Sequence, residues 1–207
     1  MADAHDPSQF RKPVGKKGRL LLNDMNEHHR SLTEWALLKI PRTECKRILD
    51  IGCGGGMLIS LLAQLYPKAV IHGVDISKES VAMTKKVNEG IIEEGRCRVS
   101  LGSVSDLPFD KGTFDLVTAF ETYFFWPDLD NDIRKAASMV GAGGCIVIVS
   151  ETYPHADFKE RNDDIIRQYG LKLLENDAMA SVLESCGLRV TINEVEEKNW
   201  VAFVGKR

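Results

Sequence analysis

The chain has 207 residues, 43% of them apolar, which suits one α/β domain with a sizeable core. Its 27 Lys and Arg against 30 Asp and Glu leave a net charge of −3, without the basic field a nucleic-acid or membrane-surface binder would carry. Five cysteines with no C-x-x-C pair point away from a disulfide framework or a zinc site, and are expected to be reduced, mostly buried thiols.

Residues 1–22 are polar, contain Pro7, Pro13, Gly15 and Gly18, and read as a flexible arm. They have no apolar core of the secretory kind, and no apolar run approaches membrane-spanning length, so a cytoplasmic location is expected. From Asn23 a helical period puts Met25, His29, Leu32 and Ala36 on one stripe; this helix, 23–40, stops before Pro41. Strands and helices then alternate. Strands are expected at Arg47–Ile51, Ala69–Val74, Cys97–Leu101, Phe114–Phe120 and Cys145–Ser150. Between them lie helical stripes: Leu58, Leu62 and Leu65; Met83, Val87 and Ile91, capped by Ser77; and Leu129, Ile133 and Ala136. Such alternation implies a parallel sheet covered on both faces. The chain ends differently. A helix carrying Met179 and Leu183 closes at Gly187, and the strands Leu188–Glu194 and Trp200–Gly205 are too close for a parallel crossover, so they form a hairpin.

The first strand runs into Asp50-Ile51-Gly52-Cys53-Gly54-Gly55-Gly56. Glycines there let the chain turn sharply and let a ligand lie against bare amides at a helix N-terminus. Glycines alone admit NAD or FAD. However, a G-x-G-x-x-G fingerprint read from Gly52 would need a third glycine at Met57. The pattern is D-x-G-x-G-x-G, and Asp50 would repel a pyrophosphate while attracting an ammonium group.

This segment resembles the first motif of the class I S-adenosylmethionine-dependent methyltransferases. The resemblance continues through residues 25–205, in the style of small-molecule, ubiquinone-biosynthesis-like enzymes. Val74-Asp75-Ile76-Ser77 is similar to the second-strand motif, and a carboxylate such as Asp75 can accept from both ribose hydroxyls. Gly102 to Phe109 (GSVSDLPF) is similar to the adenine-contacting segment, with Ser103 where an aspartate is common. Phe114-Asp115-Leu116-Val117 and Val140 to Val147 match the fourth and fifth strands, with Ala142 in place of the usual proline. The resemblance implies a Rossmann-like α/β fold with helices on both faces of a seven-stranded, mostly parallel sheet. Its order is 3-2-1-4-5-7-6 with the last strand antiparallel. It also implies one domain over 23–207, with helix 23–40 as a lid, and S-adenosyl-L-methionine as cofactor, leaving S-adenosyl-L-homocysteine. Cofactor contacts are expected from Asp50, Gly52, Cys53, Gly54, Gly56, Asp75, Ile76, Ser103, Val104 and Phe120.

The acceptor should meet the loops at the carboxyl ends of the strands. After the fourth strand, Glu121-Thr122-Tyr123-Phe124-Phe125-Trp126 offers a carboxylate and four aromatic rings. Glu121 and His29 are the candidate catalytic residues; Tyr123, Phe124, Trp126 and His155 are candidates for the acceptor wall. No metal ligands are expected. Glu-Thr-Tyr-Phe replaces the N/D-P-P-Y/F motif of adenine N-methyltransferases, which argues against nucleic acid as substrate and for a small-molecule acceptor. The residues leave O-, N-, S- and C-methylation open, as well as a homodimer. Two alternatives stand beside this reading: a cofactor-binding subunit that is non-catalytic or activates a partner, and an NAD-dependent oxidoreductase.

Overall fold

The computed structural model describes residues 7–41 and 44–207. Its strands are β1 (Arg47–Ile51), β2 (Val70–Asp75), β3 (Cys97–Leu101), β4 (Phe114–Phe120), β5 (Val140–Ser150), β6 (Arg189–Val195) and β7 (Trp200–Lys206). They form one sheet in the order β3-β2-β1-β4-β5-β7-β6, as the resemblance implies. The pairs joining β1 to β5 are parallel, and β7 runs antiparallel between β5 and β6. The short turn between β6 and β7 leaves no room for a crossover, so the hairpin supplies the antiparallel strand.

The helices are α1 (Ser8–Arg11), α2 (Gly15–His28), α3 (Arg30–Leu37), α4 (Met57–Leu65), α5 (Lys78–Val87), α6 (Glu89–Glu93), α7 (Leu129–Ser138), α8 (Lys159–Tyr169) and α9 (Asn176–Ser185). Successive residues of a strand point to opposite faces, and the core divides accordingly. Leu49 and Ile51 pack with Ile133, Met179 and Leu183 from α7 and α9. Ile48 packs with Leu32, Leu58 and Leu62 from α3 and α4. β4 and β5 are buried on both faces over their apolar runs, which identifies them as central. Among the described residues, no helix is long and apolar enough to cross a membrane, and no disulfide forms.

Several boundaries differ from those read in the sequence. Helical structure begins at Ser8, and α2 starts at Gly15, well before Asn23. Tertiary contacts hold this glycine- and proline-containing stretch in place. The Pro13 carbonyl accepts from Ser77 Oγ (2.6 Å), the Gly15 amide donates to Glu79 Oε1 (3.1 Å), and Arg19 pairs with Glu79 (2.8 Å). Residues 1–6 of the expected arm lie outside the described residues. The single helix expected over 23–40 is interrupted at His29. The helix begun at Ser77 breaks at Asn88, whose side-chain amide donates to the carbonyls of Gly56 and Thr84 (both 3.0 Å). β5 starts at Val140 rather than Cys145, running through Gly141-Ala142-Gly143-Gly144. The segment between β5 and α9 contains α8, which the sequence pattern did not reveal; its Tyr169 ring packs on Phe10 of α1 (4.6 Å between centroids).

Candidate cofactor and acceptor site

The glycine loop leaves β1 between two buried carboxylates. Gly52 has φ +78°, which favours glycine, and a Cβ there would collide with the Thr122 side chain. A Cβ on Gly55 would collide with the Asn26 side chain of α2, whose amide donates to the Gly55 carbonyl (3.3 Å). The loop is therefore clamped from both sides by backbone approach that only glycine permits. The Val74 carbonyl accepts from the Gly52 and Cys53 amides (2.7 and 3.2 Å), tying the loop to the end of β2.

Asp50 is buried within β1. Its Oδ1 accepts from Thr118 Oγ1 (2.7 Å), while Oδ2 has no hydrogen-bond partner. Burial pushes its pKa up to about 7, with the Thr118 hydrogen bond opposing and the Asp75 charge adding to the rise. Asp75 closes β2. Its two oxygens accept from the Ser77 amide (2.8 Å) and the Gly54 amide (2.9 Å), and burial raises its pKa against those donors. The Ser80 side chain and the Ile76 amide act as further donors to the Asp75 carboxylate.

Three hollows open onto this loop. A narrow one of about 100 Å³ is lined by Asp50, Gly52, Gly54, Asn26, His29 and Glu121. A second, about 440 Å³, shares Gly52, Asp75 and Phe125 with it and continues along Ile76, Ser103 and Val104. A third, about 430 Å³, shares His29, Glu121 and Phe125 with the first and is walled by Phe124, Tyr169 and Glu151. The narrow hollow thus connects an acid-and-glycine end to an aromatic end.

At the aromatic end, Glu121 and Glu151 directly follow β4 and β5. Those strands pair in parallel with Phe120 opposite Val149, which sets Glu121 level with Ser150; a hydrogen bond from the Glu151 amide to the Glu121 carboxylate joins the two acids. Glu121 holds φ +53°, a left-handed conformation uncommon for a non-glycine residue. Its Oε1 accepts from the Glu151 amide, and its Oε2 lies 3.9 Å from His29 Nε2. Burial raises the Glu121 pKa well above the usual carboxylate range, and the neighbouring Glu151 charge adds to this. Burial acts in the same direction on Glu151 but is outweighed by His29 (3.5 Å) and His28 (3.1 Å), which lower its pKa.

The structure brings together Asp50, Gly52, Cys53, Gly54, Asp75, Phe120, Glu121 and His29 around the narrow hollow, and Ile76, Ser103 and Val104 along the second. Gly56 does not line these hollows. Its φ of +84° turns the chain into α4. The Cys53 thiol is held far above its usual pKa by burial and by the charges of Asp75 and Asp50, so it is not poised as a nucleophile. The aromatic loop divides in an unforeseen way. Residues 123–125 form a 3₁₀ turn, in which positions three apart share a face. Tyr123, Phe124 and Trp126 all join the core; Trp126 still edges the second hollow, whereas Tyr123 reaches none of the three. Phe124 lines the third hollow, and Phe125, not singled out in the sequence, lines all three. His155 lines a separate hollow with Lys159 and Ile166. Thr122 and Glu151 were also missed. Thr122 is revealed by its close approach to Gly52, and Glu151 by the hydrogen bond of its amide to Glu121.

The orphaned oxygen of Asp50, the carboxylate of Asp75 and the glycine cradle fit a ligand with an ammonium group, vicinal hydroxyls and a flat ring. These are the recognition features of S-adenosylmethionine. Comparison with known proteins agrees. Residues 48–144 match the model of a methyltransferase domain. A ubiquinone biosynthesis O-methyltransferase of Chromobacterium violaceum is 32% identical over 103 residues, 49% of this chain and 42% of that protein. The chain spans less than half the length of the first curated relatives it matches. Among solved structures, a chain from a complex containing the Haloferax volcanii Trm112 methyltransferase activator superposes with TM-score 0.82 at 16% identity, covering 100% of this chain and 99% of that one. A geranyl diphosphate methyltransferase in complex with S-adenosylmethionine superposes with TM-score 0.74 at 16% identity, covering 98% and 95%. The fold is Rossmann-like, and the site suits S-adenosylmethionine. Over residues 48–144 the chain is similar to a methyltransferase domain.

Proposed function

We propose that the protein transfers a methyl group from S-adenosylmethionine to a small-molecule acceptor seated in the aromatic hollow, with residues 23–207 acting as one domain. The observation that carries this reading is the junction of the hollows at Gly52, Glu121 and Phe125, between the acids that suit the cofactor and the rings that suit an acceptor. When bound, S-adenosylmethionine supplies a methyl group already activated on a sulfonium, ready for in-line displacement. Asp50 Oδ2 would receive the ammonium, Asp75 the ribose hydroxyls, and Ser103 with the Val104 amide the adenine edge. Phe124 and Phe125 would hold the acceptor against its nucleophile's line of approach and exclude water. Glu121 and His29 stand where an acceptor proton would be held or removed. Helices α1 and α2, packed over the loop through Asn26 and Pro13, would serve as the lid.

The test is transfer of labelled methyl from S-adenosylmethionine into a pool of small metabolites by the purified chain. Asp50→Ala and Asp75→Ala should abolish cofactor binding and labelling together. Glu121→Gln should keep binding of S-adenosylhomocysteine but slow labelling by 10²- to 10⁴-fold, the usual contribution of a positioned acid or base. Tight cofactor binding with no labelling across broad pools would sink the catalytic claim. A second reading then gains weight, in which this chain works only with an activating partner; the near-complete superposition on a chain from the activator complex supports it. A thermal-shift comparison of S-adenosylhomocysteine with NAD separates both from an oxidoreductase.

A further inference from the structure

The aromatic hollow contains a second cluster that the cofactor does not use. His28 Nε2 lies 3.1 Å from both carboxylate oxygens of Glu151, and His29 Nε2 lies 3.5 Å from Glu151 Oε1. The ligand-capable atoms of these three residues all lie within 4.8 Å of one another. We propose that His28, His29 and Glu151 form a binding site for a divalent transition-metal ion, with an open coordination position facing the hollow.

Three observations support the site. The first is spacing. With nitrogen and oxygen ligands about 2.0–2.2 Å from a zinc ion, tetrahedral geometry separates the donors by about 3.4 Å, and the observed contacts bracket that figure. The second is the backbone. Consecutive residues of a regular helix point about 100° apart, so neighbouring histidines do not normally converge. Here the helix is interrupted between α2 and α3, and His29 holds φ −84°, ψ 2°, in the sparsely populated bridge region. Neither proline nor glycine occurs at the break, in the run Glu27-His28-His29-Arg30, so no helix-breaking residue explains it. The turn brings both imidazoles to one carboxylate, their rings 5.0 Å apart. The third is the surroundings. Glu121 presents a buried carboxylate 3.9 Å from His29 Nε2, a suitable acceptor for a water on the ion. The Phe124 and Tyr169 walls leave the remaining side open to the hollow.

Two imidazoles and one carboxylate select zinc, cobalt, manganese or iron over magnesium and calcium, which prefer all-oxygen sets. Three protein ligands with one free position is the arrangement of catalytic rather than structural zinc sites. On the acceptor reading above, the free position is where the acceptor's own oxygen, nitrogen or sulfur would bind, so the site narrows the substrate class to molecules with a metal-binding heteroatom.

The test uses the full chain titrated with Co²⁺, read by its d–d absorption and by metal content after dialysis, with Zn²⁺ and Mg²⁺ as competitors. One Co²⁺ per chain is expected, displaced by Zn²⁺ and not by Mg²⁺. His28→Ala and Glu151→Gln should each weaken Co²⁺ binding at least tenfold, while the thermal shift given by S-adenosylhomocysteine persists and shows that the variants are folded. Wild-type protein that binds Co²⁺ and Zn²⁺ no more tightly than the two variants would overturn the metal site and leave the three residues as an ion pair. Cobalt binding without any response to S-adenosylhomocysteine would uphold the metal site and overturn the methyltransferase reading.

Discussion

Asp50 combines recognition with instability, and Asp50→Asn separates the two. The carboxyl group is 1% exposed, one of its oxygens has no donor, and its pKa is raised from 3.8 to about 7. A rise of about 3 pKa units corresponds to about 4 kcal/mol between the charged and neutral forms. The sign follows from proton counting. Between pH 4 and 7 the folded protein holds a proton on Asp50 that the unfolded chain has released, so Asp50's contribution to stability falls as pH rises through that window. Above pH 7 both states are ionised, the loss is complete and the slope vanishes. Asparagine cannot titrate, and its carbonyl still accepts from Thr118. Asp50→Asn should therefore be more stable than wild type by up to about 4 kcal/mol at pH 8, by roughly 2 kcal/mol at pH 5, and little different near pH 4.

Urea denaturation of both proteins without ligand, across pH 4 to 8, measures this directly. Asp75 and the other carboxylates are present in both proteins and cancel in the difference. Calorimetry with S-adenosylhomocysteine provides the functional half. Wild-type affinity should weaken below pH 7 as a proton competes with the ligand's ammonium for Asp50, and the variant should bind poorly at every pH. A stability difference that does not change with pH, or a variant less stable than wild type at pH 8, would refute the reasoning.

Gly52→Ala introduces a Cβ at φ +78° against Thr122, costing roughly 1–2 kcal/mol from the backbone alone; isothermal titration should show S-adenosylhomocysteine affinity reduced at least tenfold. Asn199 is fully buried at φ +56°, donates to the Tyr153 carbonyl (3.0 Å) and accepts from Arg161 (2.7 Å) and the Tyr153 amide (3.3 Å). Asn199→Ala should cost about 4 kcal/mol in urea denaturation, from about 1 kcal/mol per lost hydrogen bond and a similar backbone term. Tyr123 is fully buried with its hydroxyl against the Leu174 backbone, so Tyr123→Phe should change stability by no more than about 1 kcal/mol and leave the KM for the acceptor unchanged. A rise in that KM would place Tyr123 in the acceptor wall after all.

The parts of the site legible in the sequence are those whose geometry is local. Asp50, Gly52 and Gly54 occupy one βα turn, so residue type and spacing alone constrain their conformation, and Asp75 sits at the matching end of the next strand. Periodicity served as long as the period held. It identified β4 correctly and carried no further than Phe120, where the strand gives way to a 3₁₀ turn. The start of α2 was hidden for a different reason. Gly15 and Gly18 oppose a helix locally, and contacts to Ser77 and Glu79, some sixty residues away, override them.

The acceptor end was the least legible because it is built from sheet register. His28 and Glu151 are 123 positions apart, and nothing in the spacing of either announces the other. The β4–β5 register sets Phe120 opposite Val149 and so leaves residues 121 and 151 one position out of step; the left-handed turn at Glu121 and its hydrogen bond from the Glu151 amide bring them together. Two carboxylates placed there repel: burial and the Glu151 charge raise the Glu121 pKa, while His29 and His28 lower that of Glu151. The glycine loop thus explains the cofactor, while the reason for two acids beside two histidines lies in the pairing of two strands that share no motif.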